Sequence, residues 1–395
     1  MDIVIVADFL GRLDGKGNSR FLYLADLLCE NHDVEIITSD FNHGTKDYFS
    51  SIEYNDNYKI TMLHEGYYPK NVCLRRFLAH FIWGRNVGKY LKNRKKPDVV
   101  YCAVPTLMAS YEAARYCEKD DIKFIVDVQD LWPEAFQMVF NIPIVADVVF
   151  SPFRFLANEI YKRADEIVAV SKTYCERVLQ VNKKTAETHT VFLGTKLLDF
   201  DENAKNANVI VFETDKLKLA YCGTLGSSYD LTCVIDALDI LNQKEVETPL
   251  FVVMGDGPRK DEFVEYAKKR NVDVLFTGRL DYPDMCATLC NCDMVVNPIA
   301  KGAAQSIINK HADYAASGLP VLNTQECEEY RNLVEEYNMG FNCANNDAED
   351  LALKLELCIN DEMKRLDMGK KARKCAEERF DRAYAYKEIE DLIIK

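Results

Sequence analysis

The segment from Lys301 to Val321, KGAAQSIINKHADYAASGLPV, gathers residues whose types and spacing suit phosphate and sugar chemistry. A strand over Met294–Pro298 is expected to run into a small-residue loop. A helix opening near Ser306 then carries Lys310 and Asp313 before stopping at Gly318-Leu319-Pro320. Free amides at a helix start favour an anion. Lys310 can add a point charge to phosphates, and Asp313, two helical turns beyond Gln305, can accept hydrogen bonds from ribose hydroxyls. The same residues also make an ordinary amphipathic helix with Ser306 as N-cap and a glycine stop. Taken alone, the segment leaves both readings open.

Other candidate groups are spread along the chain. Gly11-Arg-Leu-Asp-Gly15-Lys-Gly17-Asn18 follows the first strand and opens a helix, so its glycines would let backbone approach a ligand. It is similar to a dinucleotide fingerprint but has Arg20 where the third glycine belongs, and Asp40 could serve as the ribose acid of such a site. A plain tight turn is the simpler alternative. Asp130, in DVQDLWPE at the end of a strand, is placed to meet a substrate hydroxyl as base or acceptor, or to form an Asx turn ahead of Pro133. Three turns of the second half carry glycine after a strand: Gly223-Thr224-Leu225-Gly226, Gly255-Asp256-Gly257 and Gly278-Arg279-Leu280. Such turns wrap a nucleotide with backbone groups.

These groups need a scaffold, and the whole chain describes one. Its 395 residues, 48% apolar, suffice for two domains with full cores. Short apolar runs alternate with helical patterns throughout, as in parallel sheets covered by helices. The expected organisation is a doubly wound, Rossmann-like domain over 1–193, a polar linker over 194–216, a second such domain over 217–379, and a C-terminal helix over 380–395 packing back on the first domain. In two such domains the carboxyl ends of the strands would face a central cleft. A net charge of −14 argues against nucleic acid as partner. Fourteen scattered cysteines and a polar start fit a reducing cytosol, and Cys286, Cys290 and Cys292 lack the fourth ligand of a zinc site, so no metal is expected. Asp199-Phe-Asp201, the one Asp-x-Asp triplet, lies in the polar linker and is expected to bind nothing.

Glycine turns after three successive strands, then a small-residue loop and an acid eight residues into a helix ending Ala-Ala-Ser-Gly-Leu-Pro-Val, resemble the retaining, nucleotide-sugar-dependent group 1 glycosyltransferases of family 4, with the GT-B fold. DVQDLWPE is similar to a stretch in members that build bacterial surface or capsular polysaccharides. The resemblance implies a hexosyltransferase without cofactor or metal. It implies that Gly223, Thr224, Gly226, Arg279, Leu280, Ser306, Ile307, Ile308, Lys310 and Asp313 hold the donor, a UDP-sugar by preference. Gln305 stands where the family carries the first acid of a Glu-x7-Glu pair, and Asp313 where it carries the second. Asp130, Gln305 and Lys310 are then the catalytic candidates, while Gly15, Gly17, Asn18 and Asp130 shape the acceptor side. The usual Arg and Lys on the diphosphate are absent, leaving Lys310 to supply the charge, and Gln129 replaces a common His. Two other readings are a non-catalytic GT-B subunit of another transferase and a sugar-nucleotide 2-epimerase.

Between Asn71 and Pro97 there are eight Lys or Arg and no acid, so the remainder of the chain carries about −22. Leu74, Phe77, Leu78, Phe81 and Ile82 share one helical stripe, continued by basic residues. Arg75, Arg76, Phe81, Trp83, Arg85 and Lys89 are the expected contacts to anionic lipid or a polyprenyl-diphosphate-linked saccharide acceptor. A basic outer helix with an ordinary core face is the alternative. The expected location is cytoplasmic, peripheral on the inner face of the plasma membrane.

Overall fold

Apolar runs such as Val99–Val104, buried at every position, pair as parallel strands covered on both faces. The computed structural model describes the chain except residues 12, 14–17, 50–56, 72, 135–142 and 304–305, and for 143–148 the backbone alone. The chain divides into two units, Met1–Phe192 with Tyr386–Lys395, and Leu193–Ala385.

The first unit carries β1 (Asp2–Val6), β2 (Asp33–Ser39), a small antiparallel hairpin of β3 (Phe41–Asn42) and β4 (Asp47–Tyr48), then β5 (Lys59–Leu63), β6 (Val99–Val104), β7 (Lys123–Val128), β8 (Glu166–Ala169) and β9 (His189–Thr190). Outside the hairpin they form one parallel sheet in the order β5-β2-β1-β6-β7-β8-β9. The chain builds outward from β1 in one direction and from β6 in the other, so the order reverses between these two strands. Arg20, buried in the first helix, donates to Asp127 at 2.8 Å, to the carbonyls of Val191 and Phe192, and to Tyr386 Oη at 3.1 Å. It therefore ties the terminal helix Lys387–Ile394 to the unit, with help from Lys123 Nζ on the Leu392 carbonyl.

The second unit repeats the plan with β10 (Lys218–Cys222), β11 (Leu250–Met254), β12 (Val274–Gly278), β13 (Met294–Asn297), β14 (Val321–Asn323) and β15 (Gly340–Asn342), all parallel in the order β12-β11-β10-β13-β14-β15. Here the reversal falls between β10 and β13. Fully buried Leu219, Tyr221, Leu238, Phe251, Val253 and Phe263 anchor the core, each large aliphatic contributing about 1.5–3 kcal/mol.

Two expectations about segment character change. The polar stretch 194–216 contains a helix, Leu197–Asn206, which buries Leu197 and Phe200. Its Asp201 pairs with Arg373 at 2.6 Å and Asp199 with Lys196 at 2.8 Å, so this triplet is engaged in structure. The return to the first unit starts at Tyr386, because residues up to Ala385 pack with the second: Thr195 N–H donates to the Phe380 carbonyl, and Arg382 to that of Leu193.

Candidate active site

In the second unit, the turns after β10, β11 and β12 and the helix that follows β13 enclose a cavity of 840 Å³. It opens at the carboxyl ends of the strands where their order reverses, the position at which doubly wound sheets bind ligands. Gly223, Thr224, Tyr229, Gly255, Asp256, Gly257, Arg279, Leu280, Ile308, Asn309, Lys310 and Asp313 line it.

Glycine is required where these turns interlock. Gly223 N–H donates to the Met254 carbonyl and Leu225 N–H to that of Asp256, drawing the first turn onto the second. A Cβ at Gly255 would run into the Gly223 carbonyl, and one at Gly257 into that of Leu225. Gly223 itself has φ of +147°, a conformation side chains disfavour.

Lys310 is the most unusual group. Its Nζ is buried, with no hydrogen-bond partner among the described residues, between the rings of Tyr229 at 3.9 Å and Tyr221 at 4.3 Å. Burial without a counter-charge pulls it down to about 7. One turn further, Asp313 accepts a hydrogen bond from Tyr282 Oη at 2.8 Å, and burial pushes it up to about 6. Tyr282 Oη in turn lies 2.8 Å from Thr195 Oγ1. A cation and a carboxyl group thus face one cavity, the first suited to phosphate, the second to a hydroxyl pair.

The helix carrying them spans Asn309–Ala316, three residues later than Ser306 would place it. The reason is His311. Its Nδ1 accepts the Ile308 N–H at 3.1 Å, making Ile308 the N-cap, while its ring stacks on Tyr330 with centroids 3.6 Å apart. Gln325 Nε2 donates to the Ser306 carbonyl at 2.8 Å. Ser306 and Ile307 are buried, and Ile308 lines the cavity with its amide given to His311. Asn309 and Lys310 open the helix beside the cavity. Gly226 sits in the turn without lining the cavity. Gln305 lies outside the described residues.

On the first unit, Gly15 and Gly17 also lie outside the described residues; Asn18 is half-buried ahead of the N-cap Ser19. Asp130 accepts from Trp132 Nε1 at 3.1 Å, and burial raises its pKa. Asp40, the candidate ribose acid, is committed to the Glu65 N–H at 2.8 Å and to His64.

The helix Leu74–Asn93 is corrected in two of its six expected lipid contacts. Trp83 is 0% exposed, packed inward with Val87 and Leu91. Arg76 turns inward too: its Nε donates to His80 Nε2 at 3.2 Å and its guanidinium lies 4.7 Å from the Trp132 ring. Arg85 is exposed but paired with Glu112 at 2.6 Å; Arg75, Phe81 and Lys89 face solvent. The apolar stripe faces outward, with Leu74 87%, Leu78 60% and Phe81 50% exposed. Phe77 meets Phe153 at 5.0 Å, which brings the stripe beside the helix Pro143–Arg163 and its exposed Val149 and Phe155.

One cluster had no signal in residue spacing. Asp8 beyond β1, Glu65 beyond β5 and His80 are all buried, with ligand atoms within 4.8 Å of one another. Ser39 Oγ donates to Glu65 Oε2 at 2.6 Å, whereas Asp8 Oδ2 and Glu65 Oε1 have no hydrogen-bond partner among the described residues. Burial raises both acids, and the charge of Glu65 raises Asp8 further, with Arg76 opposing. Because the His80 lone pair is committed to Arg76, a proton shared between the carboxyl groups satisfies this cluster more simply than a cation.

Residues 202–375 match the family model for glycosyl transferases group 1. The whole chain is similar in fold to sucrose-phosphate synthase from Thermosynechococcus elongatus, at 13% identity and TM-score 0.74, covering 99% of this chain and 98% of that one. It is also similar to Anabaena HepE solved with UDP, at 17% identity and TM-score 0.69 over 100% of both chains. A third likeness is to WaaG, a glycosyltransferase involved in lipopolysaccharide biosynthesis, at 15% identity and TM-score 0.66 over 99% of both chains. No curated protein sequence matches the chain. The fold is GT-B, with two parallel-sheet Rossmann-like units. The match over 202–375, the stretch that carries the cavity, supports a transferase enzyme.

Proposed function

We propose that the protein transfers a hexose or N-acetylhexosamine from a nucleotide diphosphate sugar, a UDP-sugar by preference, to a saccharide acceptor with retention of configuration. The observation that carries this reading is Lys310, an unpaired cation in a cavity that also presents Asp313 and three glycine turns. Lys310 and the amides of Asn309 and Lys310 stabilise the leaving diphosphate, Asp313 anchors the ribose, and the Arg279–Leu280 backbone meets the base. Catalysis is then chiefly orientation of two sugars and charge stabilisation on the departing phosphate. The UDP bound in the HepE neighbour supports the choice of base.

Asp130 and the loop before Arg20 line the acceptor side. The acceptor is lipid-linked, in surface or capsular polysaccharide synthesis, and the protein works at the inner face of the plasma membrane. The exposed stripe of Leu74, Leu78 and Phe81 beside Arg75 and Lys89 supports this. Among the described residues no helix is long and apolar enough to cross a membrane, so attachment would be peripheral.

A thermal-shift screen with UDP-, GDP-, ADP- and TDP-sugars identifies the donor, and product analysis with a polyprenyl-diphosphate sugar identifies the acceptor and the anomeric outcome. Lys310→Ala and Asp313→Ala should each abolish transfer with an unchanged circular dichroism spectrum; full activity in either would overturn the site. Replacing Leu78 and Phe81 by Ser should abolish sedimentation with anionic vesicles while leaving melting temperature unchanged, and unaltered sedimentation would remove the membrane assignment.

A further inference from the structure

The way Lys310 is held goes beyond its assignment to the diphosphate. Among the described residues no carboxylate lies within ion-pairing distance of its Nζ. Asp313 is bonded to Tyr282, and Asp256, at the cavity rim, faces Lys260 at 3.8 Å. The Cys222 thiol and the phenols of Tyr221 and Tyr229 stay protonated, since burial raises all three. Tyr221 Oη donates to the Thr224 carbonyl at 2.9 Å. The His311 ring faces Ile308 and Asn297, and burial holds it neutral. Arg279, exposed, also lines the cavity and adds positive charge.

Among the described residues, what meets the ammonium is therefore two aromatic faces and the Gly223 turn at the cavity wall. A Cβ at position 223 would lie 2.8 Å from Nζ, so glycine there leaves room for the amine at the cavity wall. A buried ammonium without an anion is costly, and the ring faces return only part of the lost hydration. A sugar nucleotide brings two phosphate charges to this point and reverses the balance.

We propose that sugar-nucleotide binding in this pocket is coupled to uptake of one proton from solvent by Lys310 Nζ, with Tyr229 and Tyr221 as the positioning residues that hold the amine ready. This deepens the donor reading and rests on it. The neutral amine uses its lone pair to take the proton, and the ammonium so formed stays against the diphosphate. With Lys310 near 7, donor affinity should fall about tenfold per pH unit above pH 7, until the bound-state pKa is reached.

The test is calorimetric titration of UDP-glucose at pH 8 in buffers of different ionisation enthalpy. The diphosphate of this probe carries no proton that titrates near neutrality, so the proton count belongs to the protein. The expected uptake rises toward one proton as pH increases through about 7 and falls toward zero at acid pH. Lys310→Met should bring uptake to zero and weaken binding. Tyr229→Phe should bind within about twofold of the parent, and Tyr229→Leu about tenfold more weakly, because only an aromatic face holds the ammonium. Binding of UDP-glucose with no proton uptake at pH 8 overturns this coupling and leaves the donor site standing. Failure of UDP-, GDP-, ADP- and TDP-glucose all to bind overturns the donor reading itself. Equal affinity for the two Tyr229 variants would reduce the ring to packing and overturn its positioning role.

Discussion

Each unit buries charge at the carboxyl edge of its sheet, but of opposite sign and with a different outcome. In the first unit Asp8 and Glu65 face one another with Arg76 nearby, and a shared proton satisfies both. In the second, Lys310 has no hydrogen-bond partner among the described residues and lines a cavity. A buried charge that the fold can neutralise from within is a structural element. One left unanswered beside a cavity marks a candidate binding site, where on the donor reading an incoming anion would relieve the cost of the buried charge.

The largest effect expected from this comparison is on transfer. Lys310→Met should lower kcat/KM by about two to three orders of magnitude, yet keep or raise the melting temperature, since an apolar chain relieves an unpaired buried amine. A variant that loses activity only because it unfolds would erase the distinction between the two sites. Next comes the core face of the basic helix: Trp83→Ala should cost about 3–5 kcal/mol in denaturant unfolding, whereas Phe81→Ala on the exposed face should change stability by at most about 0.5 kcal/mol. Comparable losses at both positions would mean the stripe is covered.

Smaller, and most diagnostic, are the pH signatures. Asp8 and Glu65 are raised when folded, so the native state binds more protons than the unfolded one above about pH 4, and their contribution to stability falls as pH rises through that window. Asp313 acts in the same direction between about pH 4 and its folded value near 6. Lys310 is lowered, so the unfolded state binds the extra proton between about pH 7 and 10.4, and its contribution grows with pH there. Asp8→Asn should therefore raise the melting temperature at pH 8 by about 2–4 °C and flatten its acid-to-neutral slope, as measured by calorimetry. A uniform loss at every pH would show that the two acids do not share a proton.

Much of this was legible in the residues. Short continuous apolar runs and the glycines at their ends specify buried parallel strands and tight turns, because those preferences are local to the backbone. Lys310 and Asp313 were legible too, being one turn apart on a single helix. The start of that helix was not: Ser306 is a good cap by composition, but His311, buried against Tyr330, takes the Ile308 amide instead. Periodicity drew the stripe through Leu74, Leu78 and Phe81 without deciding its direction. Packing decided that, since the glycines at 84 and 88 let the opposite face lie against the helix Leu107–Asp120.

By itself the sequence determined the α/β plan, the glycine turns and the helix that bears the pocket's cation and acid, all set by neighbours within a few residues. Only the tertiary structure decided which charges are left without partners. Asp8, Glu65 and His80 meet because the sheet brings distant strand ends together, and Lys310 stands between Tyr221 and Tyr229 because a strand and its following turn close over it. Burial, and with it the energy of a charge, is a property of the assembled fold.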